Sequence, residues 1–175
     1  MDFVSEMVAP YLIYFGEKGI SPKVIDVLGE EIITLKKSEG PRLGEFLKMD
    51  QPLSTLESIY HSLGFSIGHI SRYCIEHGHL HVDNVVIENN SPVIIDWGMA
   101  FYAGILASDD TFDMWKNLNC NFLLDTTLKA LNVKCNTMYP ELEKVFLEEF
   151  RREFLCTEGI SPTEIKYKLL ESRFW

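Results

Sequence analysis

His77-Gly78-His79-Leu80-His81-Val82-Asp83-Asn84, followed twelve residues after Asn84 by Asp96-Trp97-Gly98, is the densest polar constellation in the chain. What surrounds it decides the fold. Upstream, residues 53–76 carry Leu56, Ile59, Tyr60, Leu63, Ile67, Ile70, Tyr73 and Cys74 at three- and four-residue intervals, the pattern of a long amphipathic helix. Gly64 and Gly68 lower helix propensity within it, which points to a close contact with another helix there. Downstream, the apolar runs 85–88 and 92–95 are separated by Asn89-Asn90-Ser91, the composition of a hairpin turn. A helix therefore delivers the chain into a polar loop, and a hairpin lifts Asp96 back beside Asn84. An amide oxygen and a carboxylate held together make a hard-oxygen site suited to Mg²⁺.

Working outward, residues 2–17 read as a helix with Phe3, Val4, Met7, Val8, Tyr11, Leu12 and Phe15 on its apolar face, kinked at Pro10 and closed by Gly16 and Gly19. The runs 23–28 and 31–35, joined through Gly29, read as a hairpin. Glu39-Gly40-Pro41 breaks the chain, and 42–48 reads as one short helix. After Gly98 the pattern is helical over about 110–131, 139–155 and 162–172. Ser161-Pro162-Thr163-Glu164 supplies a cap and an acidic first turn for the last of these. Small antiparallel sheets and a helical remainder make the expected class α+β. Trp115, Phe122, Phe146, Phe150 and Phe154 are expected in the core. His61 and His69, and the acidic run 141–153, are expected on solvated helix faces.

The chain has 175 residues, with 26 acidic against 16 basic side chains and a formal charge of −10. That length suits one domain with one core. The charge balance gives no footprint for nucleic acid or an anionic membrane. No apolar run approaches the roughly 20 residues needed to span a bilayer, and the first residues lack a basic leader. Cys74, Cys120, Cys135 and Cys156 have no paired ligand spacing and read as reduced thiols, so a cytoplasmic protein is expected.

The loop and the Asp-Trp-Gly resemble the catalytic loop His-Arg-Asp-Leu-x-x-x-Asn and the Asp-Phe-Gly of the protein-kinase-like superfamily. The spelling His-Gly-x-Leu-His-x-x-Asn…Ile-Asp-Trp-Gly is closer to small-molecule and atypical kinases, of the RIO and aminoglycoside-phosphotransferase type. Asp109 and Asp113, flanking Thr111-Phe112 before Met114-Trp115, resemble Asp-x-x-x-Asp-Leu-Tyr in the small atypical kinase of the KEOPS tRNA-modification complex. That kinase shares a very short activation segment, and Glu171-Ser172-Arg173 resembles the start of its C-terminal tail. The resemblance implies one kinase-like domain over 1–175, with a remnant N-lobe and hinge in 1–38 and a helical C-lobe in 39–175. It implies His77 as the loop's scaffold histidine, Leu80 as its buried leucine, and Asn84 and Asp96 as Mg²⁺ ligands. Lys36, Lys37 and Ser38 fall on the hinge whose backbone binds the adenine of ATP, and Asp113 is a scaffold residue expected to pin the loop backbone. His79 stands where the family has its catalytic aspartate.

Other parts of that machinery are not matched in these residues. No Gly-x-Gly-x-x-Gly occurs, Lys18 and Lys23 lie in the wrong context for the strand lysine, and Glu6 matches the helix glutamate without a lysine to pair with. A truncated N-lobe of one helix and one hairpin is therefore expected. A neutral imidazole at position 79 accepts a proton but supplies no fixed negative charge to orient a hydroxyl. The expected function is that of a pseudokinase acting through a protein partner, by resemblance a subunit of the tRNA-modification complex, above all its ATPase-like subunit, or through a second copy of itself. The alternative is a minimal kinase or ATPase, dependent on Mg²⁺ and ATP, completed by a partner chain or dimerisation. His79-Leu80-His81-Val82-Asp83 also has the His-x-His-x-Asp spelling of metallo-hydrolases with the metallo-β-lactamase fold. All five histidines end by position 81, too early to complete such a zinc sphere, which leaves adventitious Zn²⁺ or Ni²⁺ binding.

Overall fold

The computed structural model describes residues 2–3, 8–28, 32–131 and 136–156. The readings placed on 162–172, 171–173, Glu6 and Cys135 lie outside those residues. The described chain is α+β, built from helices and three small antiparallel sheets.

Asp2–Phe3 (β1), Val24–Leu28 (β2) and Ile32–Leu35 (β3) form a three-stranded sheet in the order β1-β3-β2. The helix expected from residue 2 begins instead at Ala9, giving α1 (Ala9–Glu17). Asp2 and Phe3 pair with Ile33 and Ile32. Pro10 occupies the first turn of α1, where its missing N–H has no carbonyl to serve, so it starts the helix and does not kink it.

The long helix α3 (Leu53–Arg72) follows the short α2 (Leu43–Phe46). Every apolar position marked on it in the sequence, from Leu56 to Cys74, is buried. α3 packs along α6 (Tyr139–Phe154) at the two glycines. A Cβ on Gly64 would lie 2.4 Å from the Phe146 carbonyl oxygen, and one on Gly68 would lie 2.7 Å from that of Phe150. Bare Cα atoms let the two backbones approach this closely. Against this seam stack Phe146, Phe150 and Phe154.

Two expectations about charge are overturned on the same helix pair. His69 is 5% exposed, with Nδ1 2.6 Å from Glu153 Oε1 and Nε2 3.2 Å from the Tyr14 hydroxyl. Glu149 and Glu153 are buried as well. Glu153 meets Arg72 at 3.3 Å, and Glu149 meets Arg152 and, at 3.3 Å, His61. Each buried charge has a partner of opposite sign, the condition for tolerating it inside.

α3 ends where Cys74 turns left-handed at φ 61°, and the expected last turn becomes a strand. Ile75–Glu76 (β4) pairs with Phe101–Tyr102 (β7). Between them, Val85–Glu88 (β5) and Ser91–Ile94 (β6) form a hairpin as expected, with the second strand one residue earlier than expected and Ser91 paired to Glu88. Asn89 and Asn90 both carry positive φ, 52° and 62°, as a two-residue turn of the primed type requires. The helix expected over 110–131 is broken at Cys120 into α4 (Phe112–Asn119) and α5 (Asn121–Ala130). Trp115 is buried, whereas Phe122 is 47% exposed and not part of the core. Cys74 and Cys120 are buried free thiols. Among the described residues no helix is long and apolar enough to cross a membrane.

Candidate functional site

The polar loop between β4 and β5 is held from three directions. At its start the backbone N–H of His77 donates to Asn119 Oδ1 at 3.1 Å. The Asn119 amide in turn donates to Ser71 Oγ at 2.7 Å and to the Ile75 carbonyl at 3.1 Å. This corrects the role given to Asp113, which lies exposed in the first turn of α4; the side chain that pins the start of the loop backbone is Asn119, buried one helix turn beyond Trp115. Further on, the Val82 N–H donates to Thr126 Oγ1 at 3.2 Å. At the loop's end the Arg42 guanidinium donates from Nη1 to the Asp83 carbonyl.

Gly78 sits at the tightest point. Its φ is 79°, and a Cβ there would lie 2.4 Å from the Met99 carbonyl oxygen, so only glycine lets the loop pass under the segment that follows Asp96. His77 is wholly buried. Its Nε2 lies 3.0 Å from the Ile95 carbonyl, its ring meets Trp97 edge-on at 4.8 Å, and Nδ1 has no hydrogen-bond partner. Nε2 therefore carries the proton. A second proton would be buried at Nδ1 without an acceptor, and burial holds the pKa down at about 4. His77 is a neutral strut joining the loop to the residue before Asp96.

Asn84 and Asp96 come together as expected from the hairpin. The Asn84 carbonyl accepts from the Ile95 N–H at 2.9 Å, and both side chains line one open cavity of about 330 Å³. Asn84 Nδ2 is committed to the His79 carbonyl at 2.9 Å, which leaves Oδ1 as the atom available to a ligand. Asp96 is exposed and left-handed, with φ 61° and ψ 62°, a conformation a non-glycine residue holds at a cost of about 1 kcal/mol or more. The same cavity is lined by Pro22 and Leu35, by Lys36, Lys37 and Ser38, and by Arg42 and Ile95. The three expected hinge positions thus share a cavity with the two expected metal ligands. An amide oxygen and a carboxylate fit Mg²⁺, a hard cation that keeps several waters of its own.

His79 is placed differently. The residues lining the cavity do not include it. Its ring stacks on Phe122 at 5.7 Å and meets His81 at 4.6 Å. His81 Nδ1 accepts from the Asp83 N–H at 3.3 Å, and its pKa is lowered by burial first and then by the neighbouring His79. Among the described residues no three His, Cys, Asp or Glu side chains are grouped to hold a metal, so the adventitious zinc or nickel reading finds no ligand set here.

Three residues that hold this loop, Asn119, Thr126 and Arg42, escaped the sequence reading. Asn119 had a signal, since a polar residue four positions after Trp115 falls on the buried stripe of its helix. Arg42 had none, as it lies between Pro41 and Leu43 outside any motif. No protein-family model and no curated protein matches the chain.

Proposed function

We propose that this protein is a kinase-like pseudoenzyme that binds a Mg²⁺–nucleotide in the cavity between residues 36–38 and Asp96, and that acts by holding a protein partner. One observation carries the reading. Lys36, Lys37 and Ser38 line the same cavity as Asn84 and Asp96, while the imidazole of His79 is stacked away on Phe122. A planar base can lie against Pro22 and Leu35 and bond to backbone groups of residues 36–38. Asn84 Oδ1 and the Asp96 carboxylate can hold Mg²⁺, which would neutralise the phosphates. His77, through Ile95, and Asn119, through His77, keep those two ligands in register. At position 79 no carboxylate is present to orient an acceptor hydroxyl, and the ring there packs outside the cavity. Binding is therefore supported more strongly than turnover.

The segment after Gly98 supports the second half of the reading. Met99 is 63% and Leu106 70% exposed, and Phe101 and Ile105 are also exposed, an apolar stretch of the kind that marks an interaction site. By the resemblance, the ATPase-like subunit of a tRNA-modification complex is the partner to test by co-purification. The Asn84–Asp96 pair favours a second reading, a slow Mg²⁺-dependent kinase or ATPase.

Calorimetry with Mg²⁺–ATP tests the cavity, using Asp96→Gly. Glycine takes the left-handed backbone without strain, so this variant removes the carboxylate and leaves the turn. Micromolar to millimolar binding that is lost in Asp96→Gly is expected, with ADP release no faster than from buffer. No binding at millimolar nucleotide sinks the proposal, and turnover abolished by Asp96→Gly favours the second reading.

A further inference from the structure

Of the four described arginines, three are paired with carboxylates: Arg72 with Glu153, Arg151 with Asp109 and Arg152 with Glu149. Arg42 has no ion pair among the described residues, in a chain whose formal charge is −10. It lines the cavity beside Asn84 and Asp96. We infer that Arg42 is the anion-binding residue of this cavity and that the ligand it selects is a metal-chelated di- or triphosphate. The inference rests on the nucleotide-cleft reading and adds to it the group that holds the phosphates.

Arg42 is fixed at both ends. Its backbone N–H donates to Glu45 Oε2 at 3.3 Å, and its backbone bridges to Val86 of β5. Its guanidinium donates from Nη1 to the Asp83 carbonyl, one residue from Asn84. A guanidinium has five N–H donors in a rigid fork. One is spent on Asp83, which orients the fork and leaves the others for an anion, the arrangement that gives guanidinium–phosphate contacts their strength. Lys36 and Lys37 line the same cavity and, like Arg42, are exposed, but an ammonium on a flexible stem lacks that fork.

The ligand's chemistry follows from what shares the cavity. The Asp96 carboxylate would repel a bare anion, whereas Arg42 would repel a bare cation. A ligand that satisfies both carries its own divalent metal on a phosphate chain, with the metal toward Asn84 and Asp96 and phosphate oxygens toward Arg42. A neutral nucleoside gains nothing from Arg42.

The test titrates Mg²⁺–ADP, Mg²⁺–pyrophosphate and adenosine into the wild-type chain, Arg42→Gln and Arg42→Lys. Glutamine can still donate to the Asp83 carbonyl, and lysine keeps the charge without the fork. Equal thermal midpoints certify the fold, and if Arg42→Gln melts early the lysine variant carries the comparison. Arg42→Gln is expected to weaken Mg²⁺–ADP roughly 10- to 100-fold with adenosine unchanged and Arg42→Lys intermediate. Undiminished Mg²⁺–ADP binding by Arg42→Gln overturns the role of Arg42 and leaves the nucleotide reading standing. Arg42-dependent binding of Mg²⁺–pyrophosphate, with no gain from the adenosine moiety, keeps the anion site and overturns the nucleotide reading. If the wild type binds neither phosphate compound, both fall.

Discussion

Acidification should destabilise this protein through His77. The imidazole is wholly buried, donates from Nε2 to the Ile95 carbonyl, and offers no acceptor for a second proton at Nδ1. Its folded pKa lies at about 4 because burial penalises the charged ring, against about 6.5 in an unfolded chain. A depressed pKa of this kind means that the unfolded state takes up a proton that the folded state refuses. Stability is therefore complete above the unfolded pKa and is lost as pH falls toward and through the folded one. At pH 5 the unfolded imidazole is almost fully protonated while about nine-tenths of the folded one stays neutral, which costs about 2 kcal/mol relative to pH 7. Urea unfolding followed by circular dichroism reads this as a midpoint lower by about 1 M at pH 5. Other groups titrate in the same window, so the comparison is made against His77→Gln, whose amide keeps a donor near Ile95 and cannot titrate. The wild type should lose about 2 kcal/mol more than the variant between pH 7 and pH 5. Equal losses in the two proteins would refute the assignment of His77 as a neutral buried strut.

Gly64→Ala and Gly68→Ala set two effects of opposite sign against each other. Helix propensity alone favours alanine by about 1 kcal/mol, whereas a Cβ 2.4 or 2.7 Å from a carbonyl oxygen of α6 forces the helices apart. Net destabilisation of about 2 kcal/mol or more is expected at each site in urea titrations, and a stabilised variant would show that α3 and α6 are not in contact there. Asn119→Ala leaves the His77 N–H without its acceptor and Ser71 Oγ and the Ile75 carbonyl without their donor. A loss of about 2–4 kcal/mol at the same assay is expected, and a loss below about 1 kcal/mol would mean that the loop is pinned by something else.

How far the sequence foretold the structure depends on how local each cause is. The periodicity of α3 and the asparagines of the β5–β6 turn are consecutive signals, and both elements formed, although α3 stops at Arg72 and Ser91 leaves the expected turn for β6. The convergence of Asn84 and Asp96 followed from the hairpin alone, because a tight turn between two short strands returns the chain to where it left. His69, Glu149 and Glu153 were misread for the opposite reason. On a single helix their pattern is that of a wet face, and only the apposition of α3 and α6, with Tyr14 of α1 above, reveals them as buried partners. The two-residue strands β1, β4 and β7 were invisible because a pair of residues has no period, and their pairing is decided by a partner far along the chain. The same distinction separates Asp113 from Asn119. A motif aligned by spacing places an acidic residue near the loop, but the pin must reach a buried amide, and burial is set by which helix face looks inward. Asn119 shares that face with Trp115, whereas Asp113 does not. A buried polar residue on an apolar stripe is thus the better sequence signal for a loop-holding role than any acidic residue at motif distance, since only the buried one has lost water and must find a partner.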